Sequence, residues 1–336
     1  MKRIGIRDVA NHAGVSISTV SNALNRPETV SDGIRTRVNF AVDKLGYTPL
    51  QAAQQLRAGR SGLLGMTVIN ITNPFFSELM AGAEDAAAAA GLRVLVGNSD
   101  DDTAKERDHL ELFERMQVEG ALVAPFGETA PWLARLRARG IPVVLVDSVD
   151  DTGVWSSVSF DNIAGGRMAA EHLMAIGRRR LSFVGAREEV RQVRERLQGV
   201  RAAVADHPGV SLEVDWTPRT SPELGRTLGE RIAALPQTER PDAVIATNDL
   251  LACGLVHGLV QSGVRVPEDV AVTGYDDIEF ASVAAVPLTS IRQPARAMGR
   301  RAGELLLERI AGGAGSGESV VFSPELIQRE STVGRG

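Results

Sequence analysis

The sequence predicts an α/β protein in which three short helices and a linker precede a two-subdomain body built on parallel sheets. Apolar residues fall at helical spacing through residues 6–45. From Leu63 onward, strand-like apolar runs alternate with helix-length segments: LLGMTVI, GLRVLVG, GALVAP, IPVVLVD, then LSFVGA, DAVIAT and DVAVTGY. That alternation is the pattern of β-α-β units. The chain of 336 residues exceeds one typical domain, and 43% hydrophobic against only 4% aromatic residues suits aliphatic α/β cores.

The net charge of −5 hides a division along the chain. Residues 1–60 hold nine Lys/Arg against four Asp/Glu, a net of +5, which leaves 28 basic and 38 acidic residues in the remainder. A small basic head on an acidic body is the balance expected when only the head meets a polyanion; chance clustering is the plain alternative. The single Cys253 rules out an intramolecular disulfide and, with no second thiol to share a metal, argues against a zinc site and fits a reducing compartment. The start, MKRIGIRDVANH, lacks the apolar core of about 7–15 residues that a secretory signal needs. No stretch approaches the roughly 18–20 apolar residues of a membrane span. The expected location is cytoplasmic.

The first helix is expected from Ile6 to Ala13, with Val9, Ala10 and Ala13 on one face. Gly14 stops it and Val15 plugs the turn. Ser16 caps a second helix whose Val20, Ala23 and Leu24 pack inward, leaving Ile17, Ser18, Ser21 and Asn22 pointing outward. A third helix, capped by Ser31, runs to about Leu45 with Ile34, Val38, Ala41 and Leu45 as its buried stripe and Gly46 as its stop. Helix, glycine turn, helix is the arrangement that lays a second helix in the DNA major groove, where Ser, Asn and a methyl-bearing residue suit base edges. A generic three-helix bundle shares the weak A-x-x-x-G-V pattern.

Pro49 breaks the chain before LQAAQQLR (50–57), a helix-forming stretch ended by Gly59 and Gly62. A helix under about 12 residues needs tertiary or partner contacts to persist in water. Leu56 at its end can wedge between base steps of a minor groove, or pack with Leu50 and Ala53 on the head or a second hinge helix.

The run IRDVANHAGVSISTVSNALNRPETVS, followed by LGYTP and AQQLRAG, resembles the lactose-repressor (LacI/GalR) family of bacterial regulators, and the likeness extends over nearly the whole chain. The resemblance implies a helix-turn-helix transcriptional regulator, repressor by family default, with a periplasmic-binding-protein-like α/β body that senses a small-molecule effector such as a sugar. It puts Ile17, Ser18 and Asn22 at base-reading positions, and Ser16, Thr19, Ser21, Asn25, Ser31 and Tyr47 at phosphate positions. Arg35 joins them as a candidate phosphate contact, and Leu56 becomes the intercalating lever. Leu50 and Gln54 depart from the family pattern, which often has Asn and Arg there.

The division expected is a DNA-binding domain (1–49), a hinge helix and linker (50–61), one subdomain from 62–161 and 292–321, and another from 162–291 and 322–336. The chain would cross between subdomains near residues 159–162, near Ile291 and near Phe322. Ligands in such sheets bind beyond the carboxyl ends of the strands. Candidates there are Phe75 and Phe76 after the first strand, conspicuous in an aromatic-poor chain, which either stack on a flat or sugar-like ligand or serve as core aromatics. Asp147, Asn248, Asp249, Asp276 and Asp277 all follow strands, where a single Asp is usually a helix cap. By resemblance Arg196 is the cleft arginine, with Asn248, Asp276 and Gln293 lining the same site. A planar guanidinium suits paired bonds to hydroxyl or anionic oxygens, while Arg191, Arg194 and Arg201 can form a solvated face. The family's second-subdomain aromatic falls near Thr220 or Trp216.

A solute-binding protein shares the body but lacks a basic headpiece and carries an export signal. An enzyme body with an accessory DNA-binding head is the other alternative, and no G-x-G-x-x-G after a strand, G-x-x-x-x-G-K-[ST], H-E-x-x-H or C-x-x-C occurs. The five histidines are scattered without ligand spacing, so neither metal nor cofactor is expected. ELIQREST is followed by no leucine heptad, so a homodimer on palindromic double-stranded DNA is expected in place of a coiled-coil tetramer.

Overall fold

The computed structural model describes residues 4–47, 61–127, 129–312 and 317–334. The chain forms two compact units, residues 1–61 and 62–336. The expected hinge helix, Leu56 included, lies outside the described residues.

In the first unit α1 (Ile6–Ala13), α2 (Ile17–Asn25), a 3-10 turn (Pro27–Thr29) and α3 (Asp32–Leu45) follow the expected order. Val9, Ala10, Ala13, Val20, Ala23, Val38 and Ala41 are buried together, with Val15, Leu24, Ile34 and Leu45 packed half-buried around them. Gly14 (φ 64°) and Gly46 (φ 62°) end α1 and α3 in the left-handed region that favours glycine. The Ser16 hydroxyl accepts the Thr19 N–H at 3.0 Å and so caps α2. Ser31 stands at the N-cap of α3, but its hydroxyl makes no capping bond.

The second unit contains two six-stranded sheets. The strands are β1 (Leu63–Val68), β2 (Arg93–Asn98), β3 (Gly120–Val123), β4 (Val143–Val146), β5 (Ser156–Phe160), β6 (Arg180–Gly185), β7 (Ser211–Trp216), β8 (Ala243–Ala246), β9 (Ala271–Asp276), β10 (Thr289–Arg292), β11 (Ser319–Phe322) and β12 (Glu325–Ile327). The first sheet runs β11-β5-β4-β3-β1-β2, and the second β12-β10-β9-β8-β6-β7. Pairing is parallel throughout except where β12 closes antiparallel on β10. The chain changes sheet after Phe160, after Arg292 and after Phe322.

Helices between the strands are α4 (Pro74–Ala89), α5 (Thr103–Met116), α6 (Ala130–Ala138), α7 (Asn162–Ala175), α8 (Arg191–Ala205), α9 (Pro222–Ala234), α10 (Asp249–Gln261), α11 (Glu279–Val283), α12 (Ala295–Ile310) and α13 (Glu330–Val333). Their apolar faces and the strands' buried faces form one large core from Leu64 and Met66 through Phe160 and Phe183 to Leu305 and Leu306, and two smaller ones, around Leu251, Leu255 and Val272 on the second sheet and around Leu110, Phe113 and Leu136 on the first. Glycines bring α7 and α8 together. A methyl group on Gly166 would strike the Arg196 carbonyl, and one on Gly199 would strike the Ile163 carbonyl. This close approach holds the backbone that carries Arg196 against its neighbour.

Candidate functional site

The head presents one polar face. Ile17, Ser18, Asn22 and Asn25 are exposed on α2, and Thr19 is half-buried. Hydroxyls cluster where α2 begins, with Ser16 Oγ 2.7 Å from both Ser18 Oγ and Thr19 Oγ1. Ser31 and Arg35 are exposed on and before α3, Arg35 pairing with Asp32 at 2.7 Å, and Tyr47 packs half-buried on the head core. The structure corrects the expectation for Ser21, which is buried rather than outward. It follows Val20 by about 100° of helical turn, on the flank of the packed stripe. There its carbonyl accepts Asn25 Nδ2–H at 2.8 Å.

In the body, the seven residues singled out from the sequence, Phe75, Phe76, Asp147, Arg196, Asn248, Asp276 and Gln293, line one cleft at the carboxyl ends of the two sheets. Phe75 and Phe76 begin α4, packed edge to face with centroids 5.1 Å apart. Both are buried in the main core while also walling the cleft, so the two readings of this pair meet in one place. Asn248 caps α10, its Oδ1 accepting the Leu251 N–H at 3.0 Å. Asp249 does not face the cleft. Fully buried, it accepts the Ile278 N–H (2.8 Å) and the Ser290 hydroxyl (2.7 Å), tying down the turn after β9. Asp277 pairs with Arg292 at 2.8 Å and Arg329 at 2.6 Å. Thr220 lines the cleft, while Trp216 is largely exposed and sets its ring against Phe183.

Several residues that sequence reasoning missed complete the site. Asn73 Nδ2 donates to Asp276 Oδ2 (2.9 Å), and Gln192 Nε2 donates to the Asp147 carbonyl (2.7 Å) and to its Oδ2 (3.0 Å). Arg191, which the sequence allowed on a solvated face, is half-buried and reaches Asp151 at 2.7 Å outside the cleft lining. Each pair joins the first sheet's side of the cleft to the second's. Arg196 donates from Nε to Asn162 Oδ1 (2.9 Å) and from Nη1 to the Thr247 carbonyl, with its guanidinium 3.7 Å from the Tyr275 ring centroid. Stacking and hydrogen bonds together immobilise the fork. Of the remaining arginines of α8, Arg194 and Arg201 are exposed.

Burial pushes the Asp147 carboxyl up to about 7, with Arg196 opposing the rise and Asp276 adding to it. Burial likewise raises Asp276, against the pull of Arg196 and the hydrogen bonds from Asn73 and Gln293. Both residues hold positive φ, 54° at Asp147 and 103° at Asp276. Backbone held in such regions costs on the order of 1–3 kcal/mol, which the surrounding hydrogen bonds must offset. Among the described residues, no group of three or more His, Cys, Asp or Glu is placed to hold a metal ion.

Comparison with known proteins agrees with both parts. Residues 5–50 match bacterial regulatory proteins of the lacI family, and residues 170–332 match a periplasmic binding protein-like domain. The HTH-type transcriptional repressor PurR of Photobacterium profundum is 32% identical over 327 residues, covering 97% of this chain and 98% of that protein. The chain belongs to the lacI family. Among solved structures, the lac repressor dimer bound to operator and the anti-inducer ONPF is similar with a TM-score of 0.82 and 26% identity, covering 98% of this chain and 99% of that one. The complex of the transcriptional regulator CelR with cellobiose has a TM-score of 0.72 and 29% identity, over 98% and 100% of the two chains. This lacI-family protein is a DNA-binding transcriptional repressor with a ligand-binding body, and PurR and the lac repressor, which it resembles, are repressors, not enzymes.

Proposed function

We propose that this repressor binds a palindromic operator as a homodimer and that a sugar or a related polar metabolite, held in the body cleft, sets its operator affinity. Residues 1–49 form the DNA-binding domain and 50–61 the hinge, followed by subdomains 62–161 with 292–321 and 162–291 with 322–336. Ile17, Ser18 and Asn22 read base edges. Ser16, Thr19, Asn25, Ser31, Arg35 and Tyr47 meet phosphates, and Ser21 acts there through its place beside Asn25. Leu56 wedges into the minor groove at the centre of the site. In the body Phe75, Phe76, Asp147, Arg196, Asn248, Asp276 and Gln293 hold the effector. The observation that carries the reading is the convergence of these seven residues on one cleft crossed by hydrogen bonds between its two sides. Cellobiose in the similar CelR complex favours a sugar.

A ligand that grips both sides changes the free energy of their closure, and with it the spacing of the hinges. Coupling of about 1–3 kcal/mol gives a 5- to 150-fold change in operator affinity. The test is selection of bound sites from random duplex by the full-length protein, followed by titration with and without candidate metabolites. An inverted repeat is expected, and the direction of the effector's change shows whether it releases or promotes binding. Asn22→Ala should relax preference at particular bases, whereas Arg35→Ala should weaken all sequences alike and flatten the salt dependence. No preference for any inverted repeat over random competitor would overturn the proposal.

A further inference from the structure

We propose that Arg191 and Asp151 form an ionic latch that holds the two sides of the body together from outside the cleft, so that ionic strength shifts the closure equilibrium independently of any effector. Only the consequence at the operator rests on the closure step of the reading above; the latch itself is read without DNA or ligand.

Each half of the latch has its own support. Arg191 opens α8 on the second sheet's side, and its Nε donates to Glu195 Oε1 one turn on (2.6 Å). Glu195 Oε2 accepts from Asn162 Nδ2 at the start of α7 (3.3 Å), so the guanidinium is aimed by its own side before it meets the other. The target belongs to the loop after β4, residues 147–155. There Asp150 folds the loop on itself. Its Oδ1 accepts the Thr152 N–H (3.0 Å) and hydroxyl (2.7 Å), and its Oδ2 accepts the Trp155 N–H (2.6 Å). The next carboxylate, Asp151, then faces Arg191. The fork meets it with two nitrogens, Nη1 donating to Oδ2 (2.7 Å) and Nη2 to Oδ1 (3.1 Å), while Nη1 also donates to the Val149 carbonyl (3.2 Å).

Exposed ion pairs mostly contribute little, because two long side chains must be held still and salt screens them. Here Asp151 is short, Arg191 is half-buried and already held by Glu195, and the contact is bidentate, the geometry in which such pairs count. The hydrogen bonds from Arg191 hold the Asp151 carboxyl below the usual carboxylate range, so the pair stays charged well below neutral pH. Position gives it leverage. Gln192, the next residue on the same turn of α8, bonds the Asp147 carbonyl and Oδ2, so the outer ionic contact and the inner cleft contact form and break together. Neither Arg191 nor Asp151 lines the cleft, and an effector need not touch them to depend on them.

The test is pulsed electron–electron distance measurement on the full-length protein, with nitroxides at Ala104→Cys and Glu223→Cys in a Cys253→Ala background, diluted with unlabelled protein so that distances within one chain are read. Ala104 and Glu223 are exposed near the starts of α5 and α9, one on each side of the cleft. In low salt the parent should give one narrow distance. In Arg191→Gln and in Asp151→Asn a longer-distance population should grow by about threefold or more, and the double variant should match the single ones rather than add to them. Raising KCl from roughly 20 to roughly 300 mM should move the parent the same way and leave the double variant unmoved. Arg265→Gln, which breaks a paired contact with Asp269 wholly within the second side, should leave the distances unchanged. A parent already spread in low salt, single variants with unchanged distances or additive effects, an equal salt response in parent and double variant, or an equal shift in Arg265→Gln each overturns the latch. Asp151→Asn, on an exposed loop, keeps the test decisive if Arg191→Gln loses its fold. Operator selection judges the effector reading separately, and none of these outcomes changes its result.

Discussion

The two units solve the problem of carrying function in opposite ways. Among its described residues the head buries nothing larger than valine: its core is Val9, Ala10, Ala13, Val20, Ala23, Val38 and Ala41, and of its polar residues only Ser21 is buried beside them. The body buries phenylalanine, leucine and methionine throughout its core and buries polar groups that line its cleft as well, Arg196, Asp147, Asp276 and Gln293 included. A surface that must meet DNA can be built of short exposed side chains on a minimal support. A cleft that must grip a small molecule from two sides needs side chains desolvated and oriented by one another, and so needs the larger core around them.

The largest effect should come from the body's core. Phe160→Ala removes a ring that packs edge-on to Tyr275 at 5.9 Å and should cost about 3–5 kcal/mol, read from denaturant unfolding of the 62–336 unit within the full chain. If the cost is below about 1 kcal/mol, the core is not the support claimed for it. Next comes pH. The Asp147 carboxyl, at about 7 when folded against an ordinary value of 3.8, holds its proton more tightly in the native state, so its contribution to stability is present at low pH and is lost as pH rises through 7. Asp147→Asn should therefore flatten the stability profile between about pH 4 and 7 and leave the variant more stable than the parent at pH 8. An unchanged slope would show that burial does not perturb the group. In the head, Val20→Ala should cost about 2 kcal/mol. In so small a unit this should lower operator affinity while body melting stays constant. Ser16→Ala, which removes the cap on α2, should cost about 1 kcal/mol and be visible mainly in the same operator titration.

The same contrast governs how much could be read from the sequence. The head helices follow from Gly14, Ser16 and Gly46 and from apolar spacing, and the miss at Ser21 reflects the narrow margin between flank and face on a helix of nine residues. In the body all seven apolar runs became strands, while β5, β7, β10, β11 and β12 went unrecognised. SSVSF shows why. Every residue of β5 is buried, yet three are serines, which satisfy no apolar pattern. The cleft's charged and aromatic members carried signals in their residue type and in their place after a strand. Asn73 and Gln192 carried none, because an amide inside NITNPFF or VRQVRER looks like any surface amide until the fold brings a carboxylate to it.

The threading of the body also bears on its synthesis. β11 forms an outer edge of one sheet and pairs with β5, Ser319 beside Ser157, while β12 forms an outer edge of the other. A nascent polypeptide can therefore complete neither layer until residues 319–327 have left the ribosome. Until then it exposes two unfinished borders capable of recruiting stray strands, a window in which chaperone dependence and vulnerability to proteases should be greatest.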